Sequence, residues 1–169
     1  NFNLQATQLS IAGSVQANGN TGGTISAVAT SSNLQSGSLI QANGNNGPGG
    51  AITLLTTQNQ VINNAQLQAN GSGNGGNIQI TTTQGDINLQ SALIQTNGAN
   101  GRGGQITTAS NNGSTYISSA LETTGATNGG NVLITANNIT LASNSTITAT
   151  GNYGGGTVLI GGDWQGSND

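Results

Sequence analysis

Apolar and polar residues alternate along most of this chain, and the alternation returns at a nearly constant interval. A typical stretch is SALIQTNGANGRGGQIT, residues 91–107, in which two short apolar runs flank a glycine-rich loop. The glycine pair that closes such a loop recurs six times, with steps of 27, 26, 28, 26 and 26 residues between the first glycines. Alternation with period two predicts β-strands, and the regular interval predicts a repeat architecture.

Aligning the units brings like residues into columns. The column before each loop is apolar: Val15, Ile40, Leu67, Ile94, Leu121 and Ile147. Its neighbour is polar: Gln16, Gln41, Gln68, Gln95, Glu122 and Thr148. A small column and an asparagine-rich column follow it: Ala17, Ala42, Ala69, Thr96, Thr123 and Ala149, then Asn18, Asn43, Asn70, Asn97, Thr124 and Thr150. Two apolar columns follow the loop: Ile25, Ile52, Ile78, Ile106, Val132 and Val158, then Ala27, Leu54, Ile80, Thr108, Ile134 and Ile160.

These columns predict an all-β fold, a right-handed parallel β-helix with coils of about 26 residues. Each coil needs three strands, and the third has the least regular register. It lies around Leu34, Val61 or Ile62, Ile87 and Leu89, Ile117, and Ile139 and Leu141. Six coils at about 4.8 Å each give a rod about 30 Å tall. An antiparallel β-sandwich explains the alternation equally well, but it does not require near-constant spacing.

The whole chain is predicted to be one β-helix segment. Its repeat units are approximately 1–23, 24–50, 51–76, 77–104, 105–130, 131–156 and the partial unit 157–169. The chain begins with Asn1 and no signal-peptide pattern follows, so we expect a mature or excised segment.

Composition narrows the function classes. Charged residues make up only 3% of the chain, against roughly 25% in ordinary globular domains. The net charge of −3 comes from four acids and Arg102, which disfavours binding to nucleic acid or to anionic lipid. Cysteine is absent, so no disulfide or thiolate metal site is expected. No apolar run approaches the roughly 20 residues of a membrane helix, so direct membrane insertion is not expected.

The glycine loops and the glutamine column are the two candidate binding features. A loop such as GANGRGG resembles a phosphate cradle, but it lacks the G-x-x-x-x-G-K-[ST] spacing and recurs six times with varied filling. A β-helix corner that needs positive φ is the favoured interpretation. The column Gln16, Gln41, Gln68, Gln95 and Glu122 is either a glycan- or surface-binding face or a solvated amide ladder that stiffens the rod.

Catalytic and metal chemistry is sparse. Asp86 and Glu122 lie in neighbouring units, and His and Lys are absent, so no enzyme activity and no cofactor are expected. The loops carry Asn, Thr or Ser where calcium-binding repeats carry Asp, so no metal site is expected. Threonine-rich strands are typical of ice-binding arrays, but ISAVAT and VLITAN break the required T-x-T rows. Trp164 either caps the end of the core or begins another segment, and Arg102 is interpreted as a solvated loop charge.

The repeated pattern LxxxSxIxAxGxxGxGGxIxI resembles filamentous-haemagglutinin-like exoproteins of Gram-negative bacteria, including large cyanobacterial adhesins. The stretch ITATGNYGGGTVLIGGDWQGSND is especially similar to such proteins. The resemblance implies a secreted fibre exported through an outer-membrane partner by two-partner secretion. It also implies a location outside the cell or on the surface of a Gram-negative bacterium. No secretion domain with Asn-Pro motifs is present, and the only proline is Pro48, so the resemblance implies an internal repeat segment.

The predicted function is therefore that of a structural and adhesive fibre segment, the stalk of a secreted adhesin used in attachment, aggregation or biofilm. The alternative is a filament subunit that stacks end to end, and a lesser alternative is a carbohydrate- or ice-binding β-helix. The expected partners are the chain itself, the neighbouring coils of a longer parent, and host or cell-surface glycans.

Overall fold

A computed structural model describes residues 1–161 of the chain. Over that range every regular element is a strand, and all strand pairs are parallel. The strands are β1 Phe2–Ile11, β2 Ser14–Gln16, β3 Thr24–Leu34, β4 Leu39–Gln41, β5 Ala51–Thr56, β6 Gln60–Asn63, β7 Gln66–Gln68, β8 Asn77–Thr82, β9 Ile87–Gln95, β10 Gln105–Ser110, β11 Ser114–Glu122, β12 Asn131–Thr135, β13 Asn138–Leu141, β14 Thr146–Thr148 and β15 Thr157–Ile160.

The strands stack into three faces, because each coil contributes one strand segment to each face. Face A, which follows the glycine loop, is formed by β15, β12, β10, β8, β5 and the first parts of β3 and β1. Face B contains the second parts of β1 and β3, then β6, the first parts of β9 and β11, and β13. Face C, which precedes the loop, contains β2, β4, β7, the last parts of β9 and β11, and β14. The chain is thus a β-solenoid of about six turns.

The register confirms the columns that the sequence predicts. On face A, Ile52 pairs with Ile25 and Ile78, and on face C, Ile94 pairs with Leu67 and Leu121. The first strand of each full coil begins at residue 24, 51, 77, 105 or 131, immediately after a glycine pair. Because every pairing is parallel, the antiparallel sandwich is excluded.

The third strand lies on face B, and the residue that points inward there is Ile62 rather than Val61. Ile62 is fully buried and pairs with Leu34 and Leu89, whereas Val61 is half-buried. The register shifts between Ser118 and Ala120, which explains why this part of the repeat is the least regular in sequence.

The core is narrow, since three sheets enclose it. It is filled mainly by isoleucine and leucine, each of whose burial stabilises the fold by about 1.5–3 kcal/mol. Where face C runs into the loop, small residues take the inward positions. Ala42, Ala69, Thr96 and Thr123 are each fully buried. Their short side chains allow the opposite backbone, which begins face A, to approach closely.

The prediction that the loop glycines need positive φ is wrong. Within residues 1–161 the only glycines with positive φ are Gly37, at 82°, and Gly161, at 112°, and neither belongs to a loop pair. The pairs are glycine because the coils stack closely: a Cβ on Gly103 would lie 2.0 Å from the carbonyl oxygen of Thr123 in the next coil. Left-handed backbone occurs instead between faces B and C, at Gly37, Asn64 and Ser91.

Candidate functional surface

Four side chains of the polar column on face C form a continuous hydrogen-bonded ladder. Nε2 of Gln41 donates to Oε1 of Gln68 at 2.7 Å, and Nε2 of Gln68 donates to Oε1 of Gln95 at 3.1 Å. Nε2 of Gln95 then donates to Oε2 of Glu122 at 2.7 Å. All bonds run in one direction, and an ionised carboxylate cannot donate onward, so Glu122 ends the ladder.

Gln16 belongs to this column by register but not by hydrogen bonding. It pairs with Gln41 in the strand ladder, yet its Nε2 donates to Oγ of Ser14 in its own strand at 2.9 Å. The amide of Asn18 reaches Oε1 of Gln41 instead, at 3.2 Å. The structure therefore brings together Gln41, Gln68, Gln95 and Glu122 and leaves Gln16 at the exposed edge.

A second ladder runs beside the first, through the asparagine column. Oδ1 of Asn18, Asn43, Asn70 and Asn97 each accepts the backbone N–H of the column residue in the next coil, at 2.8–2.9 Å. Oγ1 of Thr124 also donates to Asn97 at 2.8 Å. The two ladders turn face C and the adjoining corner into a polar strip whose side chains are held by hydrogen bonds to the next coil.

The glycine loops stack on one another and leave few backbone donors for a ligand. In the loop 97–104, seven of the eight N–H groups donate to a carbonyl or a side-chain oxygen of the protein, and Gly101 is the exception. The closing bond, from the second glycine of the pair to the small inward residue, recurs in every loop, as from Gly104 to Thr96 at 2.6 Å. A phosphate cradle needs several N–H groups that converge on an anion, and these groups are already used within the rod.

Two open grooves flank the stacked loops. One has a volume of about 640 Å³ and runs along the glycine pairs from Gly22 to Gly130, with the exposed Arg102 on its wall. The other, of about 580 Å³, runs along the asparagine and glycine columns from Asn70 to Asn152. Apart from Arg102, both grooves are lined by glycine, alanine and neutral polar residues, so their surface suits a neutral hydroxylated ligand better than an ion.

The two acids inside the described part of the chain lie in different columns. Asp86 stacks between Asn59 and Ser114 at the corner before face B, and its Oδ1 accepts the N–H of Ser114 at 2.7 Å. Glu122 lies on face C. Within residues 1–161, no three side chains of His, Cys, Asp or Glu are grouped as a metal site would require. The other two acids of the chain, Asp163 and Asp169, and the predicted cap residue Trp164 lie outside the described residues.

The outward side of face A does not form a regular threonine array. Successive coils present Ser26 and Val28, Thr53 and Leu55, Gln79 and Thr81, Thr107 and Ala109, and Leu133 and Thr135. Threonine therefore alternates with apolar and amide side chains along both columns. An ice-binding surface built on uniform threonine rows is not present on this face.

The repeat pattern did not predict that polar side chains enter an inward column of face B, which runs through Ser32, Gln60, Ile87 and Thr115. Gln60 pairs with Ser32 below and Ile87 above, and its side chain is fully buried. Neither Nε2 nor Oε1 of Gln60 has a hydrogen-bond partner among the described residues. The signal was available, since Gln60 lies two residues before the inward Ile62 and strand alternation places both on the same side.

Comparison of the chain with protein-family models, curated proteins and solved structures finds no match. Residues 1–161 contain no helix long and apolar enough to cross a membrane. The fold and its surface ladders are therefore the basis for any functional proposal.

Proposed function

We propose that the chain is a structural and adhesive segment of an extracellular fibre, the stalk of a secreted adhesin involved in attachment, aggregation or biofilm. One observation carries the proposal: each coil is bonded to the next along its strands, its loops and its surface side chains. Between the coils of Gly71 and Gly98, for example, the loop bond from Ala99 N–H to Gly71 and the Gln68–Gln95 amide bond act together. A chain built in this way transmits force from coil to coil and keeps its length, because neighbouring coils are bonded along the whole rod.

The chemistry of the surface supports a mechanical role. The chain has four acids, one arginine and no histidine or lysine, so few groups can move protons or bind charged substrates. Its location outside a Gram-negative cell, and export by two-partner secretion, rest on the resemblance to filamentous-haemagglutinin-like exoproteins. The absence of enzyme activity remains a prediction.

The adhesive part of the proposal assigns the polar strip on face C to neutral glycans. The amides of Gln41, Gln68 and Gln95 offer donors and acceptors at regular coil spacing, and the adjoining groove contributes hydroxyl and amide groups. A glycan array probed with the purified chain tests it. We expect binding that falls in Gln68→Ala and Gln95→Ala but not in the control Gln79→Ala, whose amide reaches only Thr81 at 3.4 Å.

Failure on the array separates the two parts of the proposal. If no glycan binds, or all three variants bind equally, the adhesive face is wrong and the stalk remains. Single-molecule force spectroscopy then tests the stalk, which requires the stacked coils to resist extension. A chain that extends like an unfolded polypeptide would contradict it.

A second candidate function, end-to-end assembly into a filament, is favoured by the last described coil. Val158 and Ile160 occupy inward columns, yet they are 41% and 44% exposed, whereas Val132 and Ile134 in the coil below are 1% and 0% exposed. β15 pairs only with β12, so its other edge has no strand partner among the described residues. Such an edge can pair with another chain.

Introducing negative charge at this edge tests the filament. If copies stack, V158D/I160D will abolish filaments seen by negative stain. The control V28D/L55D places two charges on the exposed outward side of face A, where Val28 and Leu55 are 39% and 36% exposed, and will leave filaments intact. If the unmodified protein stays monomeric at high concentration, the filament is contradicted and the stalk is favoured.

A further inference from the structure

The chain contains nine Asn-Gly pairs, and the structure divides them into two chemical classes. An Asn-Gly pair is the sequence most prone to deamidation, because glycine leaves its own nitrogen unhindered. The nine asparagines are Asn18, Asn43, Asn46, Asn70, Asn74, Asn97, Asn100, Asn112 and Asn128.

In six pairs the glycine N–H donates to a carbonyl oxygen of the neighbouring coil. Examples are Gly71 to Asn97 at 2.9 Å and Gly75 to Arg102 at 2.9 Å. The other four are Gly19, Gly44, Gly98 and Gly129, with distances of 2.8–3.1 Å. In five of the six pairs, Oδ1 of the asparagine also accepts a backbone N–H from the next coil.

In the remaining three pairs, the glycine N–H donates to no group of residues 1–161. These glycines are Gly47, Gly101 and Gly113, and the asparagines before them, Asn46, Asn100 and Asn112, are all exposed. Each of these asparagines uses its Nδ2 to reach the preceding coil, as Asn100 does to the carbonyl of Ser72 at 2.8 Å. Oδ1 of the same side chains accepts no hydrogen bond from residues 1–161, so the carbonyl carbon is open to attack.

We infer that Asn46, Asn100 and Asn112 are spontaneous deamidation sites and that the rod protects the other six Asn-Gly pairs. The glycine nitrogen attacks Cγ of the asparagine, so an N–Cγ bond forms and the Cγ–Nδ2 bond breaks. The glycine proton leaves with Nδ2 as ammonia, and water then opens the cyclic imide to aspartate or isoaspartate. Solvent supplies the water, and no other reactant is needed.

The comparison of Asn74 with Asn100 isolates the cause. Both side chains are exposed, both lie in glycine loops and both precede glycine. They differ in two coil-to-coil bonds: Gly75 donates its N–H to Arg102 and Oδ1 of Asn74 accepts the N–H of Arg102, while among residues 1–161 the N–H of Gly101 and Oδ1 of Asn100 have no partner. Exposure alone predicts equal reactivity, whereas the coil-to-coil bonds predict reaction at Asn100 only.

Each event adds one negative charge, so three events take the formal net charge from −3 to −6. A rod with so few charges would change its surface potential markedly. The charges would appear on the stacked glycine loops, at Asn46 and Asn100, and at the corner before face B, at Asn112. Deamidation would thus mark aged fibre segments without opening the core.

Peptide mapping by mass spectrometry tests the inference. The folded chain is aged in mildly alkaline buffer and digested with pepsin, since one arginine and no lysine make trypsin unsuitable and acid suppresses further reaction. We expect deamidation at Asn46, Asn100 and Asn112 to be at least about tenfold faster than at the other six, which must open locally before they react. In denaturant all nine must react at similar rates.

Isoelectric focusing of a variant gives an independent readout. N46Q/N100Q/N112Q keeps the amides but removes the three Asn-Gly pairs, and we expect it to keep its isoelectric point while the unmodified chain gains more acidic forms. The inference is overturned if Asn74 reacts as fast as Asn100 in the folded rod, or if the triple variant acidifies at the original rate. The inference is also overturned if Asn46, Asn100 and Asn112 stay intact in the folded chain while the unfolded chain reacts at these positions.

Discussion

Nε2 of Gln95 and Oε2 of Glu122 lie 2.7 Å apart and join two successive coils at the surface of the rod. Glu122 is the only charged member of its column and the last acceptor of the amide ladder. A hydrogen bond to a charged acceptor is stronger than one between neutral amides. The end of the ladder is therefore also its strongest step.

Removal of this acceptor should weaken the rod. Glu122→Ala leaves the Gln95 amide without its partner, and we expect the free energy of unfolding to fall by about 1–2 kcal/mol in chemical denaturation. Glu122→Gln keeps a neutral acceptor at the same place and should lose less than Glu122→Ala, about 0.5–1 kcal/mol. Equal losses in the two variants would assign the contribution to the charge of Glu122 rather than to the position of its oxygen, and no loss in either would mean that the hydrogen bond does not contribute.

Most glycines of the loop pairs, Gly103 among them, should tolerate no side chain. A Cβ at Gly103 would meet a backbone carbonyl at 2.0 Å, and neighbouring coils prevent either backbone from moving. We expect Gly103→Ala to cost more than about 4 kcal/mol or to abolish folding, as followed by circular dichroism and thermal unfolding.

Two other glycines provide matched controls. Gly13 has no atom within 4 Å of an added Cβ, and its φ is ordinary, so Gly13→Ala should be neutral or slightly stabilising. Gly37 also has open space but a φ of 82°, so Gly37→Ala should cost about 1–2 kcal/mol. If Gly103→Ala were as mild as Gly13→Ala, the close stacking of the loops would be wrong.

The buried amide of Gln60 should destabilise the fold. An amide taken from water without a partner costs about 1–3 kcal/mol on protein scales, so Gln60→Leu, which preserves the volume, should raise the free energy of unfolding by about 1 kcal/mol or more. The exposed Gln84 provides the control, and Gln84→Leu should have little effect. A loss of stability in Gln60→Leu would show that the amide is satisfied within the core.

Asp86 should act through its oxygen rather than through its charge. Oδ1 of Asp86 accepts the N–H of Ser114 in the next coil. In the same way, Oδ1 of Asn59 in the coil below accepts the N–H of Asp86. Asp86→Asn should therefore unfold at nearly the same denaturant concentration, while Asp86→Ala should lose about 1 kcal/mol. A similar loss in both variants would assign the effect to the charge.

The sequence predicts the fold and the ladders because stacking repeats like residues. Ile25, Ile52 and Ile78 occupy the same position of the sequence repeat, and they pair in space for that reason. Gln68 and Gln95 form a hydrogen bond because they occupy the same position in neighbouring coils. A regular interval therefore carries three-dimensional information that an irregular fold does not show in its sequence.

The features that sequence analysis missed depend on distances between backbones. Composition shows that the loops are rich in glycine, but not that Gly103 is needed for a close approach to Thr123 rather than for its φ. The departure of Gln16 from the ladder, and the lack of a partner for Gln60, are choices of rotamer and packing that the pattern of residue types does not determine.

The distance between nitroxide labels placed along one column tests the stacked rod most directly. The chain has no cysteine, so labels attach only at introduced sites. Ser26, Thr53, Gln79, Thr107 and Leu133 are successive members of an outward column on face A. At about 4.8 Å per coil, the backbone separations are about 14 Å from Ser26 to Thr107 and about 19 Å from Ser26 to Leu133. We predict narrow distance distributions whose means differ by one coil spacing. Broad distributions, or distances that do not grow with the number of coils, would contradict a rigid solenoid.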